Sequence, residues 1–331
     1  MKRVIYIIMC MLLVGSSCSS DKQGSKKAVT AKVQSAPYEL LVVADKEWLS
    51  TEVGQELKEL METPIEGLPQ IEGNFRVTYI NPRDFKGTFK TYGNIVFVEI
   101  ATKHENPMIS VLHNTFARPQ VLVNLLAPDN KTFATLLQQE GGQVLDILNE
   151  NEFTREKAFL EKHNNGKVSR TVEKMFGVSI NVPKDIDDMK QGERFLWASA
   201  SNSDFKKNVC LYTLPLQSLT EQRWVEVRDS VMKVNIPGGR KDQWMETDSR
   251  TVSLRMMKVD GQEVLTMRGL WDMRHDAMGG PFVCYAYPDT LKGCILVAEG
   301  FVFAPEEKKR PIIRQLEAAL QTVFFVPGTH K

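Results

Sequence analysis

Long apolar runs, cysteine and charge of a single sign are all scarce in this 331-residue sequence. The apolar run Val4–Val14 has eleven residues, too few to span a bilayer as a mature helix. Basic residues number 42 and acidic residues 41, so there is no positive surplus to neutralise nucleic-acid phosphates. Five cysteines cannot staple a domain of this size. A Gly-x-Ser-x-Gly elbow, a phosphate-binding glycine loop and a Cys-x-x-Cys pair are all missing, which removes the signatures of common hydrolases, nucleotide binders and zinc ribbons.

What is present begins with an address. Lys2 and Arg3 precede the apolar run, and small residues follow it, as in a secretory signal peptide over residues 1–17. Gly15-Ser16-Ser17-Cys18 resembles a bacterial lipobox, although Gly15 stands where a Leu-like residue is usual. Cys18 is then the acylated first residue of the mature chain, carrying palmitate-like chains that hold it to a membrane without crossing it. Residues 18–36 contain Lys22, Lys26, Lys27 and Lys32 against Asp21 and lack apolar periodicity, so they read as a flexible tether reaching roughly 25 Å. The sequence places the body in the cell envelope, on the outer membrane and facing the periplasm. Without Lys2 and Arg3 the mature chain is close to neutral.

The body divides near "HNNGK". Residues 37–165 read as an α/β-type domain: strand-like runs at 38–44, 75–80, 94–100 and 120–127, a helix carrying Val53, Leu57, Leu60 and Met61 on one face, and two helices over 131–162. Residues 166–331 read as an antiparallel α+β domain with strands at 178–182, 194–201, 208–214, 282–287 and 294–304, a helix near 219–235 and a final helix with Ile312, Ile313, Leu316 and Leu320 inward. In element order this half is similar to the PsbP-like class of sheet-and-helix domains. Asp260-Gly261 centres its clearest hairpin, whose register pairs Val259 with Gln262, Lys258 with Glu263, Met256 with Leu265 and Leu254 with Met267. That register implies an apolar face and a salt bridge at the tip. Cys284 and Cys294 lie on successive strands, and one register of that hairpin would bridge them by a disulfide while others would not. Ala127-Pro128-Asp129 and Ala304-Pro305-Glu306 each end a strand and are expected to cap a helix.

The stretches "PYELLVVADKEWLSTEVGQEL", "MGGPFVCYAYPDT" and "EGFVFAP" with its following "RQLEAAL" give the body from Pro37 onward a resemblance to a Bacteroidota lipoprotein family, domain of unknown function 4837. The resemblance covers nearly the whole mature chain. It implies a lipid-anchored envelope protein and carries no catalytic residues with it.

Candidate chemistry concentrates in "LWDMRHDAMGGP". Asp272, His275 and Asp276 are types that supply general acids, bases or metal ligands. The alternative is that the acids pair with Arg274 or Arg268 and cap a loop. Trp271, Arg274, Gly279 and Gly280 complete a candidate binding loop over 272–278, closed by a Gly-Gly-Pro turn. Met267, Met273 and Met278 around His275 raise a copper(I) alternative. Ser203-x-x-Lys206 matches a penicillin-binding motif without its companions and reads as a polar turn, while "HENPM" lacks the second histidine of a zinc-protease helix. The sequence therefore points to a non-enzymatic binding or structural lipoprotein without a cofactor, whose partner is an envelope protein or glycan. The alternatives are a small-ligand or glycan binder using Trp197, Trp224, Trp244 and Trp271, and a hydrolase using residues 272–276.

Overall fold

The computed structural model describes residues 31–200 and 206–327. The signal segment, Cys18 and Ser203 lie outside the described residues.

The first half contains β1 (Glu39–Val43), α1 (Glu52–Met61), β2 (Arg76–Ile80), β3 (Asn94–Ile100), β4 (Met108–His113), β5 (Val121–Ala127) and α2 (Asn130–Lys162). The strands form one sheet in the order β2-β1-β3-β5-β4, all parallel except β4. β1 is apolar at successive positions because both its faces are covered. Leu40 and Val42 meet α1 and α2, whereas Leu41 and Val43 meet Phe85, Phe97 and Phe116 on the other side. The half-exposed edge strand β4 has too weak an alternation to be read from sequence.

Residues 131–162 are not two helices: α2 is continuous through Gly141-Gly142. A Cβ at Gly141 would stand 2.6 Å from Leu60 Cδ2, so the glycine admits α1 rather than ending α2. Asp129 caps α2 as expected, accepting from the Thr132 amide at 2.9 Å.

The second half opens with α3 (Gly166–Phe176), which has no counterpart in the sequence reading. It continues with β6 (Asp188–Gln191), β7 (Phe195–Ser199), β8 (Lys206–Pro215), α4 (Glu221–Asn235), β9 (Met245–Val259), β10 (Gln262–Met273), β11 (Gly279–Asp289), β12 (Cys294–Phe303) and α5 (Arg310–Leu320). These strands make a seven-stranded antiparallel sheet, β9-β10-β11-β12-β8-β7-β6, backed by helices, so the fold is α+β. One face packs on α3 and α5 through Val172, Phe176, Ile313 and Leu316; the other packs on α4 through Trp224 and Met232.

The β9–β10 hairpin has the register that the Asp260-Gly261 turn implies. Met256 is nevertheless 61% exposed on the edge strand, and no Lys258–Glu263 ion pair forms at the tip. Asp260 lies instead 3.9 Å from Lys157 of α2. The Cys284–Cys294 disulfide is corrected by the β11–β12 register, which sets Cys284 opposite Glu299 and Cys294 opposite Asp289. All three described cysteines are free.

The two halves meet through the 62–74 loop and through α2 against α5. Glu66 pairs with Arg255, Gln70 accepts from Lys309, Glu72 caps α5 and Asn74 accepts from Arg314. The expected cap from the Ala304-Pro305-Glu306 segment is corrected: α5 starts only at Arg310, behind Lys309, and its amide partner comes from the other half. Phe153 and Leu160 of α2 pack on Ala318 and Ala319 of α5.

Candidate functional site

The 271–280 stretch is a hairpin end, not an open loop. Trp271 pairs with Gly280 and Asp272 with Gly279, so the Gly-Gly-Pro segment is already strand. Gly280 is required there because a Cβ would come within 2.0 Å of the Val302 carbonyl oxygen. The Met273 amide closes the turn by donating to the Met278 carbonyl at 2.8 Å, and His275 takes the left-handed conformation at φ 57°. Trp271, 1% exposed, donates from Nε1 to the Val302 carbonyl and is core.

The expected acid-base group is not assembled. His275 Nδ1 lies 3.1 Å from Asp242 Oδ2, Asp276 accepts from Gln243 Nε2 at 2.9 Å, and Asp272 is exposed. The Arg274 guanidinium stands 4.8 Å from the Trp244 ring centroid and 3.8 Å from Glu246. His275, Asp276 and Arg274 thus fasten the hairpin end to the 240–246 segment, and Asp272 does not take part. Met267 and Met273 are buried in the core, and no group of three or more His, Cys, Asp and Glu among the described residues could hold a metal.

The aromatic alternative fares similarly. Trp224 and Trp271 are core; Trp197 is half-buried and donates to Asn208 Oδ1; Trp244 lies between Lys233 and Arg274. None of the four lines either described cavity.

A cavity of about 390 Å³ opens instead where the halves meet, between the amino ends of β1 and β2, helix α2, the start of β8 and the start of α5. Its wall begins with Tyr38, a non-glycine residue at φ 60°. Such a conformation costs about 1–3 kcal/mol and persists where its surroundings enforce it. Here the Tyr38 amide donates at 2.9 Å to the buried Glu152, which also accepts from Asn94 and Arg155. Burial raises the Glu152 pKa, opposed first by Arg155. Arg314 lies 5.6 Å from the Tyr38 ring centroid.

The charges lining the cavity are unequally matched. Lys207, 6% exposed, has its Nζ 2.7 Å from Asp185 and 2.8 Å from Gln315 Oε1, and Gln315 Nε2 donates to Glu156 at 2.9 Å. Glu39 accepts from the Ala36 amide and lies 3.7 Å from Arg76 at the mouth. Arg310 is half-buried, with its Nη1 donating to the Gly73 carbonyl at 3.2 Å. Among the described residues no carboxylate pairs with its guanidinium, and its enclosed Nε has no acceptor. Burial, with Arg314 and Arg76 nearby, pulls the Arg310 pKa below the usual arginine range against the opposing pull of Glu72. A second cavity of about 650 Å³, between β4 and α2, presents the exposed His113, Asp146 and Glu150. Sequence reasoning missed the first cavity because its walls come from segments as distant as Tyr38, Lys207 and Arg310, with no motif linking them.

Together these features define a protein of two large sheets with a charged pocket where the two halves meet. Residues 165–322 match the family model described as domain of unknown function (DUF4837), and residues 34–161 match another, domain of unknown function (DUF8532). The second half of the chain is thus a member of the DUF4837 family. The resemblance expected to reach back to Pro37 is corrected, since the 37–57 stretch falls within the DUF8532 match. No curated protein matches the chain. Solved structures of a Mog1 point mutant and of the Saccharomyces cerevisiae Ran-binding protein Mog1p each align at 11% identity and a TM-score of 0.31, covering 46% of this chain and 93% of theirs.

Proposed function

We propose that this chain is an envelope lipoprotein, acylated at Cys18 and held on the periplasmic side of the outer membrane, whose body is a non-enzymatic binding module. The binding place is the pocket between the halves. The observation that carries the reading is Arg310, a half-buried cation on the pocket wall with no carboxylate partner among the described residues. The dispersal of Asp272, His275 and Asp276 onto separate partners favours binding over hydrolysis at the hairpin end. The leader-like first seventeen residues and the Gly15–Cys18 segment support the anchor.

Mass spectrometry of the processed chain tests the anchor: acyl chains on Cys18 are expected, and Cys18→Ala should lose both them and membrane association. Native mass spectrometry tests the pocket. A retained small molecule that disappears when Ala36→Trp fills the mouth supports the reading, and retention in that variant contradicts it.

A further inference from the structure

We propose that the junction pocket binds a small organic anion, its acid head on Arg310 and a short apolar body against Pro37, Pro311 and Ile312; this rests on the pocket being the binding place. The sign of the ligand follows from the lining charges. Glu156 is engaged by Gln315 and Glu39 by the Ala36 amide and Arg76, while Lys207 is satisfied by Asp185 and Gln315. Two lining charges lack an ionic partner among the described residues, the buried Glu156 and the half-buried Arg310, and the more accessible of the two is positive.

The place of contact follows from the guanidinium itself. Nη1 is turned to the Gly73 carbonyl and Nε is enclosed, so Nη2 is the nitrogen left for a ligand. The amino end of α5 does not compete, because Glu72 already accepts from the Lys309 and Arg310 amides at 2.7 and 3.3 Å. Arg76, with its side chain 75% exposed at the mouth, stands in the same wall but is matched by Glu39 at 3.7 Å.

The size and the apolar half follow from the remaining surface. A cavity of about 390 Å³ is at the small end of ligand pockets. Ala36, Pro37, Pro311 and Ile312 offer methyl and ring surface beside the cations, which an inorganic ion would leave unused. An acid head with a body of a few carbons meets both requirements. A charge-assisted hydrogen bond to a partly desolvated arginine is stronger than a neutral one.

The test uses the full chain in lipid nanodiscs with four probes: hexanoate, hexylammonium, 1-hexanol and inorganic phosphate. Hexanoate is expected to slow amide exchange in residues 36–39 and 310–315 and to raise the unfolding midpoint, whereas the other three do neither. Arg310→Gln should weaken hexanoate at least about tenfold, Arg310→Lys should retain part of the affinity, and Ala36→Trp should block it. Ala36→Trp replaces an exposed residue, so its result stands even if Arg310→Gln fails to fold. Equal protection by hexanol or hexylammonium overturns the anion assignment, full binding by phosphate alone overturns the apolar body, and either result leaves the pocket standing. Hexanoate binding unchanged by Ala36→Trp, or no binding of any probe, overturns both.

Discussion

Glu72, in the loop between α1 and β2, accepts a 2.7 Å hydrogen bond from the amide of Lys309, 237 residues away, and so caps α5 from the other half of the chain. A helix end with no side chain of its own to cap it has borrowed one, and folding the second half is thereby coupled to placing the first. Glu72→Ala is expected to cost about 1–2 kcal/mol in urea unfolding. Glu306→Ala, on the exposed segment that fails to cap, should stay within about 0.5 kcal/mol.

Arg228 and Glu299 are both fully buried between α4 and the large sheet, joined through Nη2 at 2.7 Å and Nε at 3.1 Å. The Cys284 thiol also donates to Glu299, and the Phe282 ring lies 3.9 Å beneath the guanidinium. Removing one partner strands the other charge. Arg228→Met should destabilise by about 3–5 kcal/mol, and the double variant Arg228→Met with Glu299→Leu should recover much of that. Chemical denaturation of the single and double variants decides it.

Gly280→Ala should cost about 1–3 kcal/mol, because its Cβ would collide with the backbone of Val302. Gly142→Ala in α2 meets no atom within 4 Å and should stabilise by about 0.5–1 kcal/mol. Thermal unfolding of the two variants should move in opposite directions.

Glu317 gives the protein an acid-sensitive joint. Burial works to raise its pKa, but Arg268 and then Arg314 outweigh that and hold it below the ordinary carboxylate range. A depressed folded-state pKa contributes stability above the unfolded value, about 4.3, which is lost as pH falls through the folded one. Urea midpoints should therefore fall below about pH 4, with a shallower slope in Glu317→Gln. An unchanged slope would contradict the assignment.

The free cysteines predict a simple labelling pattern. Without reductant, unfolded protein should alkylate at Cys210, Cys284 and Cys294, while the native state should react at the half-buried Cys294 and be spared at the two buried positions. Peptide mass spectrometry reads each site.

Local chemistry was legible in the sequence and distant chemistry was not. Asp260-Gly261 carries its own turn preference, so the β9–β10 register could be read from residues within one hairpin. Gly280 could not, because the reason for it is the Val302 carbonyl on the neighbouring strand. The continuity of α2 through Gly141 could not be read for the same reason: the explanation of that glycine is Leu60 on another helix. Cys284 and Cys294 depended on where the 290–293 turn sets the register. The candidate site lay beyond reach altogether, since Tyr38, Lys207 and Arg310 acquire a shared wall only when the halves are joined. The His275 stretch drew attention by composition, yet its polar groups serve the corner they stand in.

The sharpest contest is between that corner and the junction pocket, and photo-crosslinking in intact cells distinguishes them. With p-benzoylphenylalanine at position 76, on the exposed rim of the pocket, or at position 275, the account predicts a small-molecule adduct at 76 and none at 275. An adduct at 275 with none at 76 would contradict it.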